Sequence, residues 1–139
     1  MTAAERLAFL VDEPRVAVLS IEAPDRGPVS APVWFTLEAA RSITFSVGET
    51  SRKAELLLAA SRATLCVQSE VAPYRYVSVE GAVANLGAST DTARRDRAHR
   101  YLGPELGEIY FESTREEPEL TFELRPQRWA SIDYGKLFA

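Results

Sequence analysis

Residues 32–53, PVWFTLEAARSITFSVGETSRK, decide the fold of this chain. The pattern predicts a strand, a turn and a second strand, followed by a Ser-Arg-Lys triplet that opens a helix. A helix start has unpaired backbone N–H groups and a partial positive charge. With Ser51, Arg52 and Lys53 added there, the site suits a phosphate group. The two strands supply a wall for a flat ring, so this stretch predicts a phosphorylated, ring-bearing cofactor.

On either side of this stretch, short apolar strands alternate with a few helices. The predicted helices are residues 2–11, 51–60 and 90–102, the last ended by Gly103-Pro104. The predicted strands are residues 15–21, 29–37, 42–47, 63–68, 76–86, 120–124 and 128–132. The predicted connections include turns at residues 23–28 and 38–41, a turn around Pro126 and a loop at residues 107–118. Gly81 interrupts the longest strand and indicates a bulge or a close backbone approach. Six or seven short strands with tight turns favour an antiparallel barrel.

Composition limits the classes of function. The 139 residues predict one domain, 1–139, and the net charge of −4 argues against a nucleic-acid partner. The sequence has no apolar run long enough to span a membrane, and its first residues do not resemble a signal peptide. The single cysteine, Cys66, predicts a reducing, cytoplasmic location and a small core residue.

Six segments in order give the chain a family resemblance: PRVAVLS, APVWF, FSVGETSRK, SRATLCVQ, YRYVSVEGAV and RPQRW. Over residues 13–132 the chain resembles the split barrels related to pyridoxamine 5′-phosphate oxidase, including their coenzyme F420 (deazaflavin) relatives. The resemblance implies a mainly β, α+β fold: a six-stranded antiparallel Greek-key split barrel with short flanking helices. It also implies a homodimer with two cofactors in grooves between the subunits.

The resemblance implies a set of cofactor-binding residues. Ser51, Arg52 and Lys53 correspond to the family's phosphate grip, and Val33 and Trp34 to the strand beside the flavin ring. The remaining candidates are Ser46, Thr50, Tyr76 and Trp129. Trp129 falls where the partner subunit often contributes a side chain.

Three departures separate the chain from true pyridoxamine phosphate oxidases. Ala31 and Thr36 stand where an arginine and a lysine are usual, and Tyr76 stands where a glutamine is usual. The C-terminal Arg-x-His that grips the vitamin phosphate is absent from RPQRWASIDYG. Vitamin B6 oxidation is therefore not expected.

The resulting prediction is an oxidoreductase that uses FMN, or alternatively F420, to move a hydride to or from a small conjugated substrate. The catalytic residues are not assigned. The alternative is a non-catalytic flavin carrier or a haem or tetrapyrrole binder on the same fold. His99, the only histidine, lies in the charge run 91–100, which predicts a solvated helix face. No metal site is expected.

Overall fold

The computed structural model describes residues 1–39 and 41–139. These residues form three α-helices, seven β-strands and a short C-terminal 3-10 helix. The helices are α1 (Ala3–Val11), α2 (Arg52–Ala60) and α3 (Asp91–Thr114), with the 3-10 turn at Tyr134–Leu137. The strands are β1 (Ala17–Ile21), β2 (Val29–Val33), β3 (Phe35–Leu37), β4 (Ile43–Gly48), β5 (Arg62–Gln68), β6 (Arg75–Ala88) and β7 (Glu119–Asp133). The predicted turn at 38–41 includes residue 40, which lies outside the described residues.

The seven strands form one antiparallel sheet in the order β2-β1-β5-β6-β7-β4-β3. The two edge strands, β2 and β3, are consecutive in the chain and are separated only by Trp34. Val33 pairs with Ala17 of β1, whereas Phe35 pairs with Phe45 of β4, so the chain crosses from one edge to the other at Trp34. This connection closes the sheet into a split barrel, which confirms the predicted fold class. The predicted strand 29–37 is two strands because it changes partner, and the count is seven in place of six.

The barrel is filled by the inward side of this sheet. Phe45 and Phe122, on neighbouring strands, have ring centroids 6.1 Å apart. Side chains of β1 and β5 alternate between the core and the outside, as a half-buried strand requires. Phe9 and Leu10 of α1, together with Leu56 and Leu57 of α2, pack against this core. None of the helices within the described ranges is long and apolar enough to cross a membrane.

Strand β7 runs without interruption past Pro126, so the predicted turn there is wrong. The pairing of β6 with β7 shifts between Glu80 and Gly81, which lies opposite Pro126. A Cβ atom on Gly81 would lie 1.9 Å from the carbonyl oxygen of Arg125, and only glycine allows that approach. The predicted bulge or close approach at Gly81 is confirmed. The register skips Gln127, so Pro126 lies next to a bulge, a position where strands tolerate proline.

The second half of α3 was predicted as a loop and is helical instead. Gly103 has a φ of 84° and reverses the chain, and residues 104–114 return antiparallel to residues 91–102. The two arms touch where a Cβ on Gly107 would lie 2.7 Å from the carbonyl oxygen of Ala98. Arg94 of the first arm donates hydrogen bonds to the carbonyl oxygens of Thr114 and Glu117. Contacts between distant turns thus stabilise a helical hairpin, and a local Gly-Pro signal does not reveal them.

Tyr101 of the first arm fastens this hairpin to the split in the barrel. Its hydroxyl donates to the carbonyl oxygen of Arg15 at 2.8 Å and accepts from the N–H of Phe35 at 3.1 Å. The hydroxyl therefore joins the residues before β1 to the edge strand β3, beside the crossing at Trp34. Burial raises the pKa of Tyr101 above its usual value, so the phenol stays neutral and able to donate.

We expect Tyr101→Phe to lower the free energy of unfolding by about 1 kcal/mol, because the buried hydrogen bonds are lost while the ring remains. Urea denaturation measures this change. Tyr134→Phe, at an exposed site, is the matched control and should leave stability unchanged. Equal stability of the Tyr101 variant and the wild type would show that the hydroxyl does not fasten the split.

Candidate functional site

A groove of about 440 Å³ lies where the crossing at Trp34 meets the end of β4, the start of α2 and the second arm of α3. Four predicted site residues line it: Val33, Trp34, Ser46 and Lys53. The strand–turn–strand stretch therefore does bring its two ends to one place. The second arm of α3 adds Tyr110, Phe111 and Thr114 to the wall, and the loop before β7 adds Glu117 and Pro118.

Trp34 forms the aromatic part of the groove. Its ring stacks on Tyr101 with the centroids 5.0 Å apart and the planes 11° apart. Tyr110 lies against it at 5.2 Å with a tilt of 55°. Both tyrosines come from α3, so the hairpin fixes the orientation of the indole. The result is a rigid apolar wall beside the backbone of Val33.

The three side chains of the Ser-Arg-Lys triplet lie in different surroundings. The Oγ of Ser51 accepts from the N–H of Ala54 at 3.1 Å and donates to the carbonyl oxygen of Gly48 at 2.7 Å, which makes Ser51 the N-cap of α2. Lys53 lines the groove. Arg52 points elsewhere: it pairs with Glu55 at 2.9 Å and lines a separate cavity beside Pro24. Thr50 is exposed in the turn before the helix.

The groove is also lined by a buried arginine, Arg97, that was not among the residues predicted from the sequence. Arg97 is 8% exposed, and its Nη1 donates to the Oγ of Ser46 at 2.8 Å. The Oγ atoms of Ser89 and Ser46 lie 3.1 Å apart, within a small cluster of hydroxyl groups. Glu119 lies 3.7 Å from Arg97. Burial lowers the pKa of the Arg97 guanidinium, while the negative charge of Glu119 raises it.

Two polar atoms of this buried pair have no hydrogen-bond partner among the described residues: the Nε of Arg97 and the Oε1 of Glu119. Arg94 lies 3.8 Å from the same carboxylate oxygen. Buried polar groups are normally satisfied. Unused donor capacity on a buried guanidinium that lines a groove is what an anionic ligand requires.

The prediction of a solvated helix face for residues 91–100 is wrong for Arg97, which is buried, and for Arg94, which is largely covered by the returning arm and the loop before β7. A signal was present in the sequence. Ala93, Arg97, Ala98 and Tyr101 recur at helical spacing, and two small residues beside an aromatic mark a face in contact with other elements. The surrounding charges conceal that face.

Within one chain, the other two predicted residues do not reach the groove. Tyr76 lies on the outer side of the sheet, where it pairs with Gln68 and Ile132. Trp129 lies near α1, with the guanidinium of Arg6 5.1 Å from its ring centroid. Any role for these two residues in a shared groove depends on a second subunit.

The remaining reactive side chains are also outside the groove. His99 is neither buried nor fully solvated, because its Nε2 lies 2.6 Å from the Oε2 of Glu108 across the α3 hairpin. That hydrogen bond lowers the pKa of the Glu108 carboxyl. The prediction that Cys66 is a core residue is wrong, because it lies on the outer face of β5, where partial burial raises the pKa of its thiol. No group of three or more potential metal ligands occurs among the described residues.

The donor set fits a phosphorylated ring. The ring would have the flat wall of Trp34 and the adjacent backbone, and the phosphate would have Lys53 and Arg97. The N–H groups of Arg52 and Lys53 precede the first hydrogen bond of α2, which runs from Glu55 to Ser51. They are therefore free to bind an anion at the helix start.

The sequence model of the family described as pyridoxamine 5′-phosphate oxidase matches residues 3–133. The chain belongs to this family. No curated protein sequence gives a significant match. The family membership of this chain agrees with its split-barrel fold and with the resemblance that the six sequence segments indicate.

Solved structures show the same fold in other proteins. A conserved hypothetical protein from Mycobacterium tuberculosis is 22% identical with a TM-score of 0.76, covering 100% of this chain and 89% of that one. An F420 reductase is 17% identical with a TM-score of 0.62, covering 88% and 94%. The haem storage protein from Vibrio cholerae is 12% identical with a TM-score of 0.67, covering 96% and 95%. At these identities the likeness establishes the fold.

Proposed function

We propose that this family member is an FMN-dependent oxidoreductase, with F420 as the alternative cofactor, that moves a hydride to or from a small conjugated substrate. The observation that carries the proposal is the groove that places Lys53 and the buried Arg97 beside the wall of Trp34. When bound, a flavin or deazaflavin supplies the hydride chemistry in its own ring. The protein then has to bind the cofactor, orient its ring and shield the reacting face from water.

The residues of the groove suit these three tasks. Lys53, Arg97 and the first N–H groups of α2 would hold the phosphate through charge-assisted hydrogen bonds. Val33 and Trp34 would orient the ring, because the stacked Tyr101 prevents the indole from turning. Tyr110 and Phe111 of the α3 hairpin cover the groove and would limit the access of water to the reacting face.

FMN is the favoured cofactor because the Ser-Arg-Lys triplet that resembles the family's phosphate grip is intact and its Lys53 lines the groove. The F420 reductase among the structural neighbours supports the alternative. Both cofactors have a flat ring and a phosphate, so the same side chains of the groove could bind either of them. A titration that compares the two decides between them.

A haem binder is the competing function, supported by the haem storage protein of the same fold. Haem iron needs an axial ligand such as histidine, cysteine, methionine or tyrosine. The described residues that line the groove include no His, Cys or Met, and only Tyr110 among tyrosines. This donor set favours a flavin-type cofactor over haem.

Single-turnover hydride transfer tests the proposed activity. Reduced FMN or reduced F420, saturating and without oxygen, is mixed with the protein and the artificial acceptor dichlorophenolindophenol. We expect the protein to accelerate reduction of the acceptor above the rate with free reduced cofactor. Binding without acceleration would indicate a flavin carrier. A Soret band in the purified protein, with no flavin or deazaflavin absorbance, would indicate a haem protein.

The outer face of the sheet supports a homodimer. Pro32, Val18, Cys66, Ser78 and Ala130 pair in register and form one row of small or apolar side chains across β2, β1, β5, β6 and β7. Val16 and Pro32 also line the groove, so this face continues into its rim. We propose that a second copy of the chain covers this face and brings its Tyr76 towards the groove of its partner.

We expect the chain to sediment as a dimer at micromolar concentration, and Val18→Ser to raise the dimer dissociation constant about tenfold. A two-fold interface loses the apolar contact twice, at about 0.8 kcal/mol for each buried methylene-sized group. Leu58→Ser is the matched control, because Leu58 is 54% exposed on α2, whereas Val18 is 45% exposed on β1. A monomeric wild type, or equal effects of the two substitutions, would contradict a dimer through this face.

A further inference from the structure

A cavity of about 610 Å³ lies apart from the groove, between α1, the start of β4 and the bulged part of β7. No residue lines both the cavity and the groove. The cavity therefore has its own chemistry, which the proposed oxidoreductase activity does not use.

Positive charge predominates in this cavity. Arg6, Arg41 and Arg125 line it against a single carboxylate, Glu123. The Nε of Arg125 donates to Glu123 at 2.7 Å, so these two charges offset each other. Arg41 has no ion pair among the described residues. The cavity thus has two more positive than negative side chains, although the whole chain has a net charge of −4.

Arg6 is fixed by an aromatic ring and not by an acid. Its guanidinium carbon lies 5.1 Å from the centroid of Trp129, at cation–π distance, and its Nη1 donates weakly to the carbonyl oxygen of Met1 at 3.4 Å. Its Nε is buried and has no hydrogen-bond partner among the described residues. A buried, unsatisfied donor beside a cavity calls for an acceptor from outside the chain.

The remaining walls are apolar. Ala3 and Leu7 of α1 face Pro126 and Trp129 of β7. Together, the surfaces match a molecule with a flat apolar body and a negatively charged end. We infer that this cavity is a second binding site, for a planar aromatic anion whose carboxylate or phosphate contacts Arg6 and Arg41 and whose ring packs against Trp129 and Leu7.

Calorimetric titration of the full-length protein with naphthalene-2-carboxylate, and with the neutral naphthalene-2-carboxamide, tests this inference. We expect the carboxylate to bind at least about tenfold more tightly, as charge-assisted hydrogen bonds predict. Arg6→Gln and Arg41→Gln should each remove most of this preference. Arg128→Gln is the control: Arg128 precedes Trp129 but pairs with Glu80, and its side chain is 82% exposed.

A further variant, Lys53→Gln, locates the binding, because it alters the groove and leaves the cavity intact. It should bind the carboxylate as the wild type does. Arg41 is exposed, so its variant decides the matter if Arg6→Gln fails to fold by circular dichroism. Absence of binding, equal affinity for the two probes, or loss of binding in Lys53→Gln would each overturn the inference.

Discussion

Replacing Arg97 with methionine should lower the free energy of unfolding by about 2 kcal/mol, because the charged hydrogen bond to Ser46 is lost and Glu119 keeps only Arg94 as a nearby cation among the described residues. It should also weaken FMN binding by about tenfold to a hundredfold. The first effect arises because Glu119 loses the cation 3.7 Å away. The second arises because the groove loses the guanidinium that Ser46 holds in position. Urea denaturation and a fluorescence titration with FMN measure the two effects separately.

The double variant Arg97→Met/Glu119→Gln separates the two roles. It also removes the carboxylate that the single variant leaves with Arg94 as its remaining cation, so part of the lost stability should return. The local net charge then equals that of the wild type, but the direct contact with phosphate is still absent, so FMN binding should stay weak. Recovery of binding in the double variant would mean that Arg97 only neutralises Glu119. Full stability of the single variant would contradict the buried pair itself.

Lys53→Ala should weaken FMN binding by about tenfold to a hundredfold, which corresponds to the loss of one charge-assisted hydrogen bond. Thermal unfolding should change little, because Lys53 forms no ion pair among the described residues. The neighbouring Arg52→Ala is the matched control. Arg52 lies on the same helical turn but pairs with Glu55 outside the groove, so its loss should matter less.

Together, these two substitutions test whether Lys53 contacts the phosphate while Arg52 does not. Both variants are titrated with FMN and with F420. If Arg52→Ala costs as much affinity as Lys53→Ala, the phosphate contacts the triplet as a unit. If neither substitution changes the affinity for either cofactor, the phosphate is not held at the start of α2.

The sequence predicts the parts of this fold that depend on local pattern. The first two helices, strand β4 and the constraint at Gly81 follow from side-chain period and backbone freedom. The start of α2 also follows, because Ser51 is a standard N-cap. Four predicted site residues within the stretch 32–53 line one groove because the two strands and the helix start are adjacent in the chain. They are Val33, Trp34, Ser46 and Lys53.

The parts that the sequence does not predict depend on distant partners. The division at Trp34 exists because β2 pairs with β1 and β3 with β4, and no local signal distinguishes that change of partner from a continuous strand. The run 91–100 looks solvated because its charges outnumber its apolar residues. It becomes half-buried only when residues 104–114 fold back on it through Gly103 and Gly107.

Arg97 illustrates the consequence for the site. Its burial depends on Ser46 of β4 and Glu119 of β7, which lie far from it in the chain. The sequence motif predicts a phosphate-binding site at the start of α2 but does not indicate Arg97, which lines the same groove from α3. The α3 hairpin thus contributes to the groove as residues 32–53 do.

Saturating titration of the purified wild-type chain with FMN, repeated with F420, tests whether the groove binds a flavin-type cofactor. We expect saturable quenching of cofactor fluorescence at one molecule per chain, with FMN bound more tightly than F420. Tryptophan fluorescence should be quenched in parallel, because Trp34 forms the wall of the groove. No saturable binding of either cofactor to a folded protein would contradict the account.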